Sequence, residues 1–167
     1  MARVSDQFPH LRELEDFLEA LNNESDRGAV LIASTMIEDL LGRSIRAFLV
    51  EDGKVDRLLD GFNAPLGTFS ARVLGAFSLG LLSEEEFQEC ETVRKIRNQF
   101  AHNVHPSFEQ QKTKDLCRNL KFGVQDVEKV LDAKLQYTFS ATALIIDLYN
   151  RSRRAAEKRL AYNQWQI

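Results

Sequence analysis

Arg97, Asn98 and His102, within the segment RKIRNQFAHN (residues 94–103), have types and spacing that suggest a reaction. A guanidinium stays charged at any working pH, and its planar fork matches two phosphate oxygens. An imidazole both takes and gives a proton near neutrality. On a helix, Arg94, Asn98 and His102 fall at i, i+4 and i+8 and form one ridge. Arg97 lies between that ridge and an apolar stripe, about 7.5 Å along the axis from His102. Its methylenes can lie on apolar surface while the guanidinium reaches the imidazole. Such a group suffices for metal-independent RNA cleavage. His102 would move the proton of the ribose 2′-hydroxyl or of the leaving oxygen, and Arg97 would stabilise charge on the phosphate. Asn98 would orient the imidazole or the scissile phosphate, while Arg94 and Lys95 hold the strand. The product is a 2′,3′-cyclic phosphate, and neither metal nor cofactor is required. One helix supplies one such histidine, and a homodimer with two helices face to face would supply a second.

The same residues also have a purely structural use. Glu38 in STMIEDLL is placed to hold Arg97 in an ion pair, and a histidine in a last helical turn is a favourable C-terminal cation. Spacing leaves both uses open. His10 and His105 lack partners at useful spacing and read as surface or cap residues. Tyr162 and Trp165 follow the basic RSRRAAEKRL and either stack on bases or pack against the bundle or a second subunit.

The elements that must position the motif are helical. Glycine and proline number 8 and 3 in 167 residues, and no stretch alternates like a strand between hairpin turns. A first helix is expected from about Pro9 to Leu21 and a second from Arg27 to Val50, closed by Asp52–Gly53. An irregular bridge covers 54–65. A third helix runs from Thr68 to Leu79 with Gly80 as its stop. Ser83 and Glu86 form a capping box for a fourth, from Glu84 to Asn103, with three glutamates loading its first turn. Its core stripe is Phe87, Cys90, Val93, Ile96, Phe100 and Val104. A shorter helix spans Phe108–Leu120, and a long last one Val127–Leu160. The expectation is an all-α, single-domain bundle of about six helices over residues 1–167.

Composition narrows the class. Hydrophobic residues make up 44% and charged residues 28%, as in ordinary globular domains. Two distant cysteines and the lack of C-x-x-C or H-x-x-x-H spacing favour a reduced, metal-free, cytoplasmic protein. The N-terminal residues carry acids where a secretory leader needs an apolar run. The longest apolar stretches fall well short of the ~20 residues that span a bilayer. The net charge of −3 is unevenly spread. Residues 1–60 hold 7 basic and 13 acidic side chains, and 61–93 hold 1 and 5. Residues 94–121 hold 7 and 2, and 122–167 hold 7 and 5. A polyanion would meet the positive block that starts at Arg94, unless the acidic and basic parts pair with each other.

Two resemblances add to this. IRNQFAHN resembles the R-x(4–6)-H signature of the HEPN superfamily, in which a polar residue follows the arginine; Arg97, Asn98 and His102 match those positions. The preceding ASTMIEDLLGRSI is similar to the long second helix of such domains. The resemblance implies a small all-helical domain and a metal-independent endoribonuclease of toxin–antitoxin or defence type. Its composite site would lie at a dimer interface, with an antitoxin as a possible partner. The longer stretch APLGTFSARVLGAFSLGLLSEEEFQECETVRKIRNQFAH is similar to the mannitol operon repressor (MltR) family. Pro65, Leu66, Gly67, Ser70, Arg72, Leu79, Gly80, Arg97 and His102 carry that likeness. It implies a helical regulator acting through a protein or nucleic-acid partner without catalysis. No helix-turn-helix is visible to read bases.

Overall fold

The described residues of the computed structural model are 12–122, 132–163 and 165. They form eight helical segments and no strand. Helix α2 (Asp26–Phe48) is the axis. Its buried positions, among them Val30, Ala33, Ile37, Leu41 and Ile45, recur at helical spacing and are fully covered. Two buried hydroxyls on it are satisfied within the helix: Ser34 donates to the Val30 carbonyl and Ser44 to that of Leu40, each at 2.8 Å. Around α2 pack α1 (Arg12–Asn22), α4 (Phe69–Ser78), α5 (Glu84–His102), α7 (Ala133–Tyr149) and α8 (Arg151–Ala156). The short α6 (Gln111–Cys117) bridges α5 and α7, and α3 (Asp56–Leu59) is a single turn. No described helix is long and apolar enough to cross a membrane.

The starts are set by side-chain caps. Ser25, Thr68, Ser83 and Asp132 each accept an N–H from the first turn of α2, α4, α5 and α7. Ser83 and Glu86 close the expected capping box reciprocally, at 3.1 and 2.8 Å. Gly80 ends α4 at φ +70°. Its N–H bonds the Phe77 carbonyl and that of Leu81 bonds Ala76, the paired closure that a left-handed residue permits.

Several boundaries differ from those the sequence suggests. Residues 9–11 and 127–131 lie outside the described residues. The last helix breaks at Asn150 into α7 and α8 and ends at Ala156. The fifth expected helix shrinks to Gln111–Cys117, because Ser107–Gln110 form turns that carry the buried Phe108. Asp52–Gly53 does not close α2. The helix stops at Phe48, where the tail supplies the missing donors: Leu160 N–H bonds the Phe48 carbonyl at 2.8 Å, and Arg159 Nε bonds that of Ala47 at 3.1 Å. The bridge 54–65 contains the α3 turn.

Arg72 does not project toward α5 or the Glu84–Glu86 cluster. It turns the other way and donates to three carbonyls: Leu66 at 3.0 Å, Glu38 at 3.2 Å and Leu59 at 3.0 Å. One guanidinium thus ties α2, α3 and the Pro65–Thr68 turn together. Gly42 makes the space, since a Cβ there would sit 3.1 Å from Arg72 Nη1. Gly75 likewise admits Leu66, whose Cδ2 would lie 3.1 Å from an added Cβ. The segment Pro65–Arg72 is therefore folding information. Arg72→Met should leave three carbonyls short of a donor and cost roughly 2–4 kcal/mol, read as a lowered urea midpoint at unchanged helicity.

Candidate functional site

The motif sits on the last two turns of α5. Cys90, Val93, Ile96 and Phe100 of the expected stripe are fully buried, and Phe87 is partly so. Val104 departs from it: the helix has ended at His102, and Val104 is 79% exposed. His105, which precedes Pro106, is pushed towards extended backbone, so the helix cannot continue. An aromatic chain fixes this end. Phe100 meets Phe108 at 4.8 Å between ring centroids, and Phe108 meets Tyr137 of α7 at 5.7 Å. The Tyr137 hydroxyl donates to the Val30 carbonyl of α2 at 3.2 Å, and burial raises its pKa.

On this support His102 is exposed and Arg97 and Asn98 are half-buried. Arg97 Nη1 donates to Asn98 Oδ1 at 3.4 Å, so the amide oxygen faces the guanidinium. Among the described residues no carboxylate pairs with Arg97. Glu38, the sequence candidate for that task, instead offers its backbone carbonyl to Arg72. Arg97, Asn98 and His102 thus share one open helix end, with the cation of Arg97 unneutralised.

Arg94 behaves differently from its expected role in holding a strand. Its guanidinium is engaged twice by Glu91, at 2.9 and 2.8 Å, one turn back on the same helix. Lys95 is exposed. The rest of the positive block is partly spent locally: Lys114 pairs with Glu109 and Arg118 with Asp115. Lys121 is held through its backbone, because the buried Glu89 accepts the N–H groups of Lys121 and Phe122 and the Ser140 hydroxyl. Glu86 takes Arg151 of α8 in the same way as it caps α5. Burial raises the pKa of both thiols, Cys117 to about 12, so neither is a thiolate at neutral pH. Among the described residues no three His, Cys, Asp or Glu side chains are grouped to hold a metal.

Sequence reasoning missed two features. Arg27, on the first turn of α2, donates through Nη2 to the Ala101 carbonyl at 3.1 Å, one residue before His102. A cation at the start of a helix, where acids are favoured, was the available signal. The second is an apolar outer face on α7, where Leu135, Phe139 and Ile146 are 45%, 52% and 45% exposed. Tyr162 keeps its ring exposed while its hydroxyl donates to Asp52 at 2.9 Å, and Trp165 is exposed. His10 lies outside the described residues.

A cavity of about 340 Å³ opens at the opposite end of α2, lined by Arg46, Val50, Glu51, Asp52, Asp56 and Arg159 among others. Its cations are already matched, Arg46 by Asp56 and Asp60 and Arg159 by Glu51. It offers no reactive group.

No family profile and no curated protein matches the chain. Among solved structures it is similar to a chain of the X-ray structure of the MtlR–HPr complex from Escherichia coli. The TM-score is 0.57 at 18% identity, over 84% of this chain and 96% of that one. The all-helical fold is therefore MltR-like, as the Pro65–His102 stretch suggested.

Hydrogen bonds from Arg94 hold the Glu91 carboxyl below the ordinary glutamate value of 4.5, against the opposing effect of partial burial. The pair therefore stabilises the fold above that value and ceases to do so as pH falls through Glu91's lower folded pKa. Glu91→Gln should cost less than about 1 kcal/mol at pH 7 and nothing measurable near pH 2, in urea titrations at the two pH values.

Proposed function

We propose that the chain is a regulator of the mannitol-repressor kind that works by binding a protein partner rather than by reading bases. The observation that carries this is the fold likeness, which spans nearly the whole of a chain solved in complex with HPr. A protein of the HPr kind is the first partner to test. The outward face of α7 is the surface for it. Leu135, Phe139 and Ile146 share one side of the helix and leave their apolar area in water, where a partner gains by covering it. Calorimetric titration with purified HPr should give saturable binding, weakened at least about tenfold by Phe139→Asp. Phe139 is exposed, so that variant should unfold at the wild-type urea midpoint. Absence of binding by the wild type, or equal binding by the variant, would refute the assignment.

A second reading is favoured by a different observation: His102 is open to solvent, and no described carboxylate neutralises Arg97. Here the chain is a HEPN-type, metal-independent endoribonuclease acting as a homodimer. His102 transfers the proton, Arg97 binds the phosphate and Asn98 holds Arg97 in place; Lys95 steers the strand. Arg94 contributes only after leaving Glu91. RNA incubated with the protein in EDTA should yield 2′,3′-cyclic phosphate ends. His102→Ala and Arg97→Ala should each lower the rate at least about a hundredfold. RNA left intact by wild type and variants alike would exclude this reading and leave the regulator.

A further inference from the structure

We propose that Arg27 of α2 is the third arm of an anion-binding cleft completed by Arg97 and His102 of α5, and that the cleft takes a phosphate group. The proposal shares two residues with the nuclease reading but needs no turnover, so it can stand or fall separately. Arg27 lies in the first turn of α2, where the helix dipole disfavours a cation. Asp26, its acidic neighbour there, is taken by Lys134 of α7 at 2.6 Å. What offsets the misplaced charge is the negative end of another helix, since Arg27 Nη2 donates to the Ala101 carbonyl in the last turn of α5. That bond uses one of five guanidinium N–H groups.

Ala101 stands four residues after Arg97, so the two lie on one ridge of α5, about 5–6 Å apart at Cβ. Arg27 therefore reaches α5 one turn beyond Arg97. Two guanidinium groups thus lie along the last two turns of α5, and among the described residues no carboxylate pairs with either. This distinguishes them from the arginines that pair with acids. Arg43, Arg46, Arg94, Arg118, Arg151 and Arg159 all have carboxylate partners. Like charges brought together without a counter-ion are stabilised by an anion between them. The positive end of α2 and the exposed imidazole of His102 add to the attraction. The phosphate fits because two planar forks and an imidazole offer N–H donors from separate directions to a tetrahedral ligand. The group could be inorganic phosphate or the backbone of single-stranded RNA, and the two are separable by measurement.

The test is binding, followed through arginine Nε–H resonances in 15N spectra at fixed ionic strength in EDTA. Inorganic phosphate and a short single-stranded oligoribonucleotide are titrated separately, with chloride as the reference ion. The Arg27 and Arg97 signals should move together and saturate. Arg27→Gln keeps an amide donor for the Ala101 carbonyl but loses the charge; it should bind at least about tenfold more weakly, and Arg27→Lys should recover part of the loss. Arg57→Ala, removing an exposed arginine beside the far end of α2, should bind as the wild type does. Saturation by phosphate alone assigns the cleft to the free ion, and tighter saturation by the oligonucleotide assigns it to RNA. Wild-type binding by Arg27→Gln, or shifts no larger than those in chloride, would overturn the proposal, whether or not RNA is cut.

Discussion

Packing around α2 is the constraint from which the remaining geometry follows. A 23-residue helix with fully buried positions along its length must be covered by neighbours on several sides, and α1, α4, α5, α7 and α8 are those neighbours. Two partly or fully buried polar contacts are fastened to that axis. Arg72 enters beside Gly42 and grips the Glu38 carbonyl, and the Tyr137 hydroxyl reaches the Val30 carbonyl. The motif on α5 inherits its position from these attachments. Phe100 is locked through Phe108 to Tyr137, and Ala101 is held by Arg27. His102 is left as the first residue of that helix end free to face water.

The charge division along the sequence finds a partial resolution in three dimensions. Part of the positive block is neutralised within a turn or so of its own position, as in Arg94–Glu91 and Arg118–Asp115. Some acidic side chains serve the interior instead: Glu89 gathers the backbone donors of Lys121 and Phe122, and Glu86 joins α5 to α8 through Arg151. Short-range pairing therefore removes part of the apparent polarity of the chain. Among the cations it leaves unmatched are Arg27, where α2 begins, and Arg97, near the end of α5.

The parts legible in the sequence were those governed by local rules. The Ser83–Glu86 cap, the Gly80 stop and the buried run Cys90–Val93–Ile96–Phe100 depend on residues within a few positions of one another. The shared helix end of Arg97, Asn98 and His102 followed from the same periodicity. Long-range polar contacts were not legible. The grip of Arg72 on three carbonyls, and the reach of Arg27 across 74 positions, are set by how helices pack. The break at Asn150 also escaped, because apolar residues on both sides of it keep a helical pattern. Glu38 illustrates the limit: its spacing suited an ion pair with Arg97, but among the described residues the two form none, and it is the Glu38 backbone that packing gives to Arg72.

The closure of α2 by Leu160 and Arg159 has a consequence for the order in which the molecule can be assembled. The acceptors at Ala47 and Phe48 are made early during synthesis, whereas their donors emerge only after more than a hundred further residues. Until then the longest helix ends in carbonyls that only water can satisfy. The nascent chain can therefore build and cap the beginning of its axis at once through Ser25, but must wait for the tail to finish the other end.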